Sequence, residues 1–183
     1  MAGLMSGGVV PVIKHIPGHG RANVDSHKEL PKIPSKLKTL RNSDFLPFKS
    51  LKEAPIAMTA HAVYECSSKL PLTVSKKSFE GLVRKEIGYN GLVMSDDLDM
   101  RALSGDLTKR TIASLNAGCD IALQCSGNLE AMNKVAKGAK TLEGKSLYRA
   151  TVADYCSDIF DCIDREVLKN ELNSSIVFHQ KYF

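Results

Sequence analysis

No apolar stretch in this 183-residue chain approaches the ~20 residues that a membrane-crossing helix needs, so membrane insertion is not expected. The opening MAGLMSGGVVPVIKH is apolar, yet no positive residue precedes Lys14 and no small-residue cleavage pattern follows. It does not read as a secretory leader. The five cysteines (Cys66, Cys119, Cys125, Cys156 and Cys162) contain no C-x-x-C pair, which leaves out zinc-ribbon and dithiol redox motifs. An odd number of thiols without a leader points to a reducing, cytoplasmic setting, with the thiols packed mainly as small hydrophobes. Clustered charge is also missing. Lys and Arg number 25 against 20 Asp and Glu. The densest basic run, Lys28, Lys32, Lys36, Lys38 and Arg41, is interrupted by prolines and carries no interleaved aromatics, so a nucleic-acid partner is not expected. Internal repeats and low-complexity tracts are absent.

What remains is the balance of a single globular domain, 43% hydrophobic and 25% charged. Four short apolar runs read as buried strands: Val9–Lys14, Ile56–His61, Gly91–Ser95 and Asp120–Gln124. Helices are expected between and after them. Ser75 is placed to cap one that carries Phe79, Leu82, Val83 and Ile87 and stops at Gly88. A second runs from Thr108 through Ile112 and Leu115 to Gly118, and a third follows Asn128. A long helix spans Ser146–Leu172, with Leu147, Ile159, Ile163 and Val167 on one stripe. Alternating strands and helices imply an α/β fold with a parallel sheet. The stretch from Gly18 to Leu40 has two glycines, two prolines and scattered charge, and is expected to be a long, mobile loop leaving the first strand.

Three groups of residues could carry chemistry. Lys14 and His15, followed by Ile16-Pro17-Gly18-His19-Gly20, end the first strand and suit hydrogen bonding to a hydroxylated or anionic ligand. Asp25 lies two residues before His27, where a carboxylate can orient the ring and raise its pKa toward neutrality. Ser95-Asp96-Asp97-Leu98-Asp99 ends the third strand, where a parallel barrel would hold a nucleophile or metal ligand. Plainer roles compete with these. Asp97 or Asp99 is expected to cap the next helix, and a loop histidine is usually solvated. His15, His19 and His27 also admit a metal site, although breakers interrupt their spacing. Gly18 and Gly20 lack the third glycine of a dinucleotide fingerprint.

Taken in order, KHIPGHG, Asp25-Ser26-His27, MTAH at Met58–His61 and GLVMSDDLDM at Gly91–Met100 resemble glycoside hydrolase family 3, and within it the bacterial β-N-acetylhexosaminidase branch. The resemblance spans about residues 4–140. It implies a (β/α)8 TIM-type barrel, of which this chain carries about four parallel strands, the fifth to the eighth, with flanking helices and a C-terminal helix. Residues 1–145 would form this half barrel and 146–183 a helical extension. The resemblance further implies Asp96 as nucleophile, His27 as general acid and base with Asp25 as its partner, and Lys14 and His15 as holders of sugar hydroxyls. No cofactor and no metal are implied. The substrate would be a terminal N-acetylglucosamine on a muropeptide or chitooligosaccharide-like sugar from cell-wall turnover. A histidine backed by aspartate does the proton work of a second carboxyl group at neutral pH, and leaves phosphate as an alternative acceptor to water.

Acidic and arginine residues that the family draws from its first four strands have no counterpart here. An inactive remnant or interaction module therefore stands as an alternative to an enzyme, and a metal-dependent hydrolase using His15, His19 and His27 as a weaker one. Open strand edges would favour a homodimer or a complementary half-barrel chain.

Overall fold

The computed structural model describes residues 1–158 and 165–182. In chain order the elements are α1 (Ala2–Ser6), β1 (Val12–Ile16), β2 (Lys32–Ile33), α2 (Leu37–Arg41), α3 (Leu46–Ser50), β3 (Ile56–Thr59) and β4 (Val63–Tyr64). A 3-10 turn at Leu72–Val74 leads into α4 (Lys76–Ser78), which continues as a wider π-helix over Phe79–Ile87. Then come β5 (Leu92–Asp97), α5 (Leu107–Ala117), β6 (Ile121–Leu123), α6 (Leu129–Gly138), α7 (Gly144–Asp158) and α8 (Arg165–Tyr182).

Strands β1, β3, β5 and β6 form one parallel sheet in that order. Each neighbours the next along the chain, which is the arc expected of a partial (β/α)8 barrel. The first strand starts three residues later than the sequence reading placed it. Val9 N–H is used by the turn closing α1, bonding Leu4 O at 2.9 Å, and pairing with β3 begins only at Val12 opposite Ile56. Lys14 and His15 therefore lie within the strand rather than at its end. The Gly18–Leu40 stretch is also not wholly loop. Lys32–Ile33 pairs in parallel with Val63–Tyr64 as a second small sheet, and α2 starts at Leu37.

Helix α4 forms where expected, with Ser75 Oγ accepting from Ser78 N–H. Phe79, Leu82, Val83 and Ile87 all turn inward. They join Ile16, Ile33, Ala57, Tyr64 and Val93 in the core, and full burial of a side chain the size of Phe79 stabilises by about 1.5–3 kcal/mol. The buried phenols keep their polar ends satisfied: Tyr64 Oη donates to Gly18 O at 2.7 Å and Tyr89 Oη to Ala54 O at 2.9 Å. Burial raises the pKa of both. A Cβ at Gly91 would lie 2.5 Å from Tyr89 Oη and 2.8 Å from Ala54 O, so the entry to β5 requires glycine.

Helix α5 packs by a different face than its apolar residues foretell. Thr111, Ser114 and Ala117 are buried while Ile112 is exposed. Helix α6 comes so close that a Cβ on Gly138 would sit 2.6 Å from Thr108 O. Only small side chains fit there, and the hydroxyls of Thr111 and Ser114 are satisfied within α5 itself. Nor do Asp97 or Asp99 cap this helix. Asp106 does, accepting from Lys109 N–H at 2.9 Å, because turns after β5 delay the helix.

Cys119 is buried as a small hydrophobe, and burial pushes its thiol pKa up. Cys66 and Cys125 are exposed and Cys156 is half-buried, so core packing accounts for one thiol among the described residues. Cys162 lies outside them, as do Ile159 and Ile163 of the long-helix stripe. The described parts of that stretch are helical as α7 and α8, and Leu147 and Val167 are exposed. Helix α7 is tied to the sheet through Asp120. Its Oδ1 accepts from Ser146 Oγ at 2.6 Å and Arg149 at 3.0 Å, and its Oδ2 from Arg84 at 3.2 Å and Val93 N–H at 2.9 Å.

Candidate active site

All four sheet strands point their C-terminal ends the same way, and the groups singled out in the sequence gather there. Asp96 is buried near the end of β5. Its Oδ1 accepts the Asp97 N–H at 2.9 Å, and its Oδ2 lies 3.5 Å from His15 Nε2 on β1. Asp96 Oδ2 accepts no hydrogen bond from any described residue, which leaves it free to meet a ligand. The neighbouring carboxylates are engaged otherwise. Asp97 Oδ1 accepts from Asp99 N–H at 3.1 Å and Cys125 N–H at 3.2 Å, and Asp99 Oδ2 accepts from Gln124 at 2.5 Å. These bonds shape the loops after β5 and β6.

His15 is half-buried, and that burial lowers its pKa from 6.5. The Asp96 carboxylate opposes the shift, while Lys14, His19 and His27 add to it. Lys14 is exposed. His19 stacks beside His15 with ring centroids 5.8 Å apart, and its Nε2 is buried without a partner.

His27 and Asp25 form the pair their spacing foretells. Asp25 Oδ1 accepts both the His27 backbone N–H at 2.9 Å and contacts the ring Nδ1 at 2.8 Å. These two bonds, the backbone one foremost, hold the Asp25 carboxyl below its usual range. With Nδ1 turned to Asp25, Nε2 is the ring nitrogen left to exchange a proton with a ligand. The His27 side chain is 74% exposed and makes no hydrogen bond or ion pair to Asp96. Its carbonyl accepts from Arg101 N–H at 3.4 Å, which sets the loop over the segment that follows β5. The base of that loop is anchored: Gly18 has φ +131° and packs on Asp44, whose carboxylate Arg21 clamps at 2.8 and 3.0 Å.

His15, His19 and His27 are not grouped as a metal-holding set, and neither are any other three His, Cys, Asp or Glu side chains among the described residues. Likewise, no described helix is long and apolar enough to cross a membrane.

One set of buried groups carries no role in the sequence reading, although two of its members lie in the MTAH motif at Met58–His61. Thr59 and His61, two residues apart on one face of the chain leaving β3, meet Thr73 from the 3-10 turn directly behind Asp96. Their period-two spacing beside a strand's C-terminal end was the available signal.

The model of the glycosyl hydrolase family 3 N-terminal domain matches residues 1–155. A β-hexosaminidase from Alkalilimnicola ehrlichii is 42% identical over 130 residues, which is 69% of this chain and 37% of that protein. Among solved structures, a family 3 β-N-acetylglucosaminidase from Paenibacillus sp. superposes with a TM-score of 0.73 at 26% identity, over 87% of this chain and 35% of that one. NagZ from Neisseria gonorrhoeae in complex with N-trifluoroacetyl-D-glucosamine superposes with a TM-score of 0.68 at 28% identity, over 88% and 46%. The chain thus spans less than half the length of the relatives it matches.

Proposed function

Because the chain belongs to glycosyl hydrolase family 3, we propose that it carries the catalytic residues of a retaining β-N-acetylhexosaminidase. The supporting observation is the meeting of Asp96 Oδ2 and His15 Nε2 at 3.5 Å at the C-terminal end of the sheet, with Asp96 Oδ1 fixed by the Asp97 N–H. In the first step Asp96 Oδ2 bonds to the anomeric carbon of a terminal β-linked N-acetylglucosamine. The glycosidic C–O bond breaks, and the departing oxygen takes a proton from His27 Nε2. In the second step water gives a proton to the same nitrogen while its oxygen displaces Asp96. Both steps require the loop bearing His27 to bring Nε2 within hydrogen-bond reach of the departing oxygen, as mobile catalytic loops do. Lys14 and His15 would hold sugar hydroxyls, and a lowered His15 pKa keeps that ring neutral, hence both donor and acceptor, near pH 7.

The relatives' names, β-hexosaminidase and β-N-acetylglucosaminidase, support a terminal N-acetylglucosaminide as substrate, and the motif resemblance extends this to sugars of cell-wall origin such as muropeptides. A cytoplasmic setting is supported by the free thiols of Cys66, Cys119, Cys125 and Cys156. For this chain on its own, β1 and β6 are edge strands, and Val9 and Val12 are exposed near the first of them. Pairing with a second copy or a complementary half barrel would cover both.

Hydrolysis of 4-nitrophenyl N-acetyl-β-D-glucosaminide, followed with and without a chelator, tests this reading. Turnover that survives chelation supports it. Absence of turnover favours the interaction module, and turnover abolished by chelation favours a metal-dependent hydrolase.

A further inference from the structure

The hydrogen bonds behind Asp96 have a direction. His61 is fully buried, and its Nε2 lies 3.0 Å from the carbonyl oxygen of Asp97. A carbonyl can only accept, so Nε2 carries a hydrogen. The other ring nitrogen, Nδ1, lies 2.7 Å from Thr73 Oγ1. In a neutral ring Nδ1 has no hydrogen and must accept, so the Thr73 hydroxyl donates to it. Thr73 Oγ1 then accepts from Thr59 Oγ1 at 2.8 Å, and Thr59 Oγ1 accepts from the backbone N–H of Asp96 at 3.2 Å. The chain runs from the Asp96 amide through two hydroxyls to His61, and returns from His61 to the carbonyl of the next residue.

We propose that His61, acting through Thr73 and Thr59, is a positioning residue that clamps the backbone on both sides of the Asp96 side chain and so aims its carboxylate. The inference rests on the reading of Asp96 as the nucleophile. Two features make the clamp specific. All three side chains are buried, so water does not compete for the bonds. Asp96 itself is held by one oxygen through the Asp97 N–H, so a shift of the 96–97 backbone would carry the free oxygen with it. Protonating His61 would place a hydrogen on Nδ1. The Thr73 hydroxyl would then turn to its other acceptor, Ala60 O at 3.3 Å, and the direction of the chain would break at that link. Burial disfavours this charge, and Arg110 adds to the effect. Asp96 and the Asp97 carbonyl and carboxylate oppose it, the balance lying below 6.5.

The test uses the 15N-labelled full chain and needs no turnover. Long-range proton–nitrogen spectra are expected to show His61 as a single neutral form with its hydrogen on Nε2 at pH 6.5, the ordinary histidine midpoint. A hydrogen on Nδ1 alone, or a ring half protonated at that pH, overturns the proposal. Thr73→Val removes the relay hydroxyl at nearly constant shape. It should speed hydrogen exchange of the Asp96 amide at least about tenfold, with that of Val93 on the same strand unchanged within about twofold. Thr73→Ser should restore the wild-type rate. Unchanged Asp96 exchange in Thr73→Val overturns the clamp, and should that variant not fold, the wild-type ring spectrum still decides. With glycoside as substrate, Thr73→Val should lower kcat about tenfold or more and leave KM within about twofold. A correct ring form and exchange pattern in a chain without turnover would uphold the clamp and reject the glycosidase reading. Turnover with the wrong ring form would do the reverse.

Discussion

His15 and Asp96 meet at 3.5 Å although their strands do not pair. Strand β3 lies between β1 and β5, so the two backbones are separated by two strand spacings, about 9.6 Å in a flat sheet. Side chains reaching over an intervening strand converge when they rise from the concave side of a curved sheet. That curvature makes the C-terminal end of an arc a place where residues far apart in sequence share one ligand.

Roles divided in this way give different responses to substitution. Asp96→Asn should abolish cleavage of every glycoside, because no covalent intermediate can form. His27→Ala should slow alkyl glycosides about 10²- to 10⁴-fold and spare aryl glycosides whose leaving group needs no proton. Steady-state rates on the two substrate types check this, and equal losses on both would reject His27 as the acid.

The loop that carries His27 should exchange its amide hydrogens much faster than β5. Gly18 and Arg21 are anchored on Asp44, and Lys32–Ile33 is paired, but of the residues between 22 and 30 Ser26 alone is buried. Exchange followed by mass spectrometry would contradict this by showing equal protection of residues 22–30 and 92–96.

Asp120 should be a principal stabilising residue at the opposite end of the sheet. Its carboxylate is 1% exposed and is shared by Arg84 and Arg149. Asp120→Ala would leave two cations without their partner, and removing one member of a buried charge network costs about 3–5 kcal/mol. A urea midpoint close to wild type would contradict it.

Much of the scaffold is legible in the chain because its signals are local. Short apolar runs ending in glycine or polar residues mark β3, β5 and β6, and Ser75 and Asn128 cap the helices that follow them. The Asp25–His27 pair closes within three residues and is likewise visible. What is not legible depends on contacts distant in sequence. Strands β2 and β4 are two residues each and exist only through each other. The buried face of α5 is set by the close approach of Gly138 rather than by its own apolar residues. Thr73 comes to Thr59 across 14 residues of chain, with no spacing to announce it.

Acidification should destabilise the fold. His15 and His61 both have pKa values lowered by burial, so below 6.5 the unfolded chain binds protons that the folded chain refuses. Unfolding free energy therefore rises with pH up to 6.5 and loses its histidine dependence above that. The lowered carboxyl groups of Asp25 and Asp44 add a second loss in more acid solution, as pH falls through their folded values. Denaturant midpoints at pH 7.5 and 5.5 check the sign, and a higher midpoint at 5.5 would reverse it.

The most direct measurement is capture of the covalent intermediate. Incubation with a 5-fluoro N-acetylglucosaminyl fluoride, which forms the glycosyl-enzyme faster than it hydrolyses, should leave one sugar on the protein. Peptide mass spectrometry is expected to find that sugar on Asp96 and to find none in Asp96→Asn. A sugar on any other residue, or none on a folded chain that still hydrolyses the aryl glycoside, would contradict the assignment of Asp96 as nucleophile.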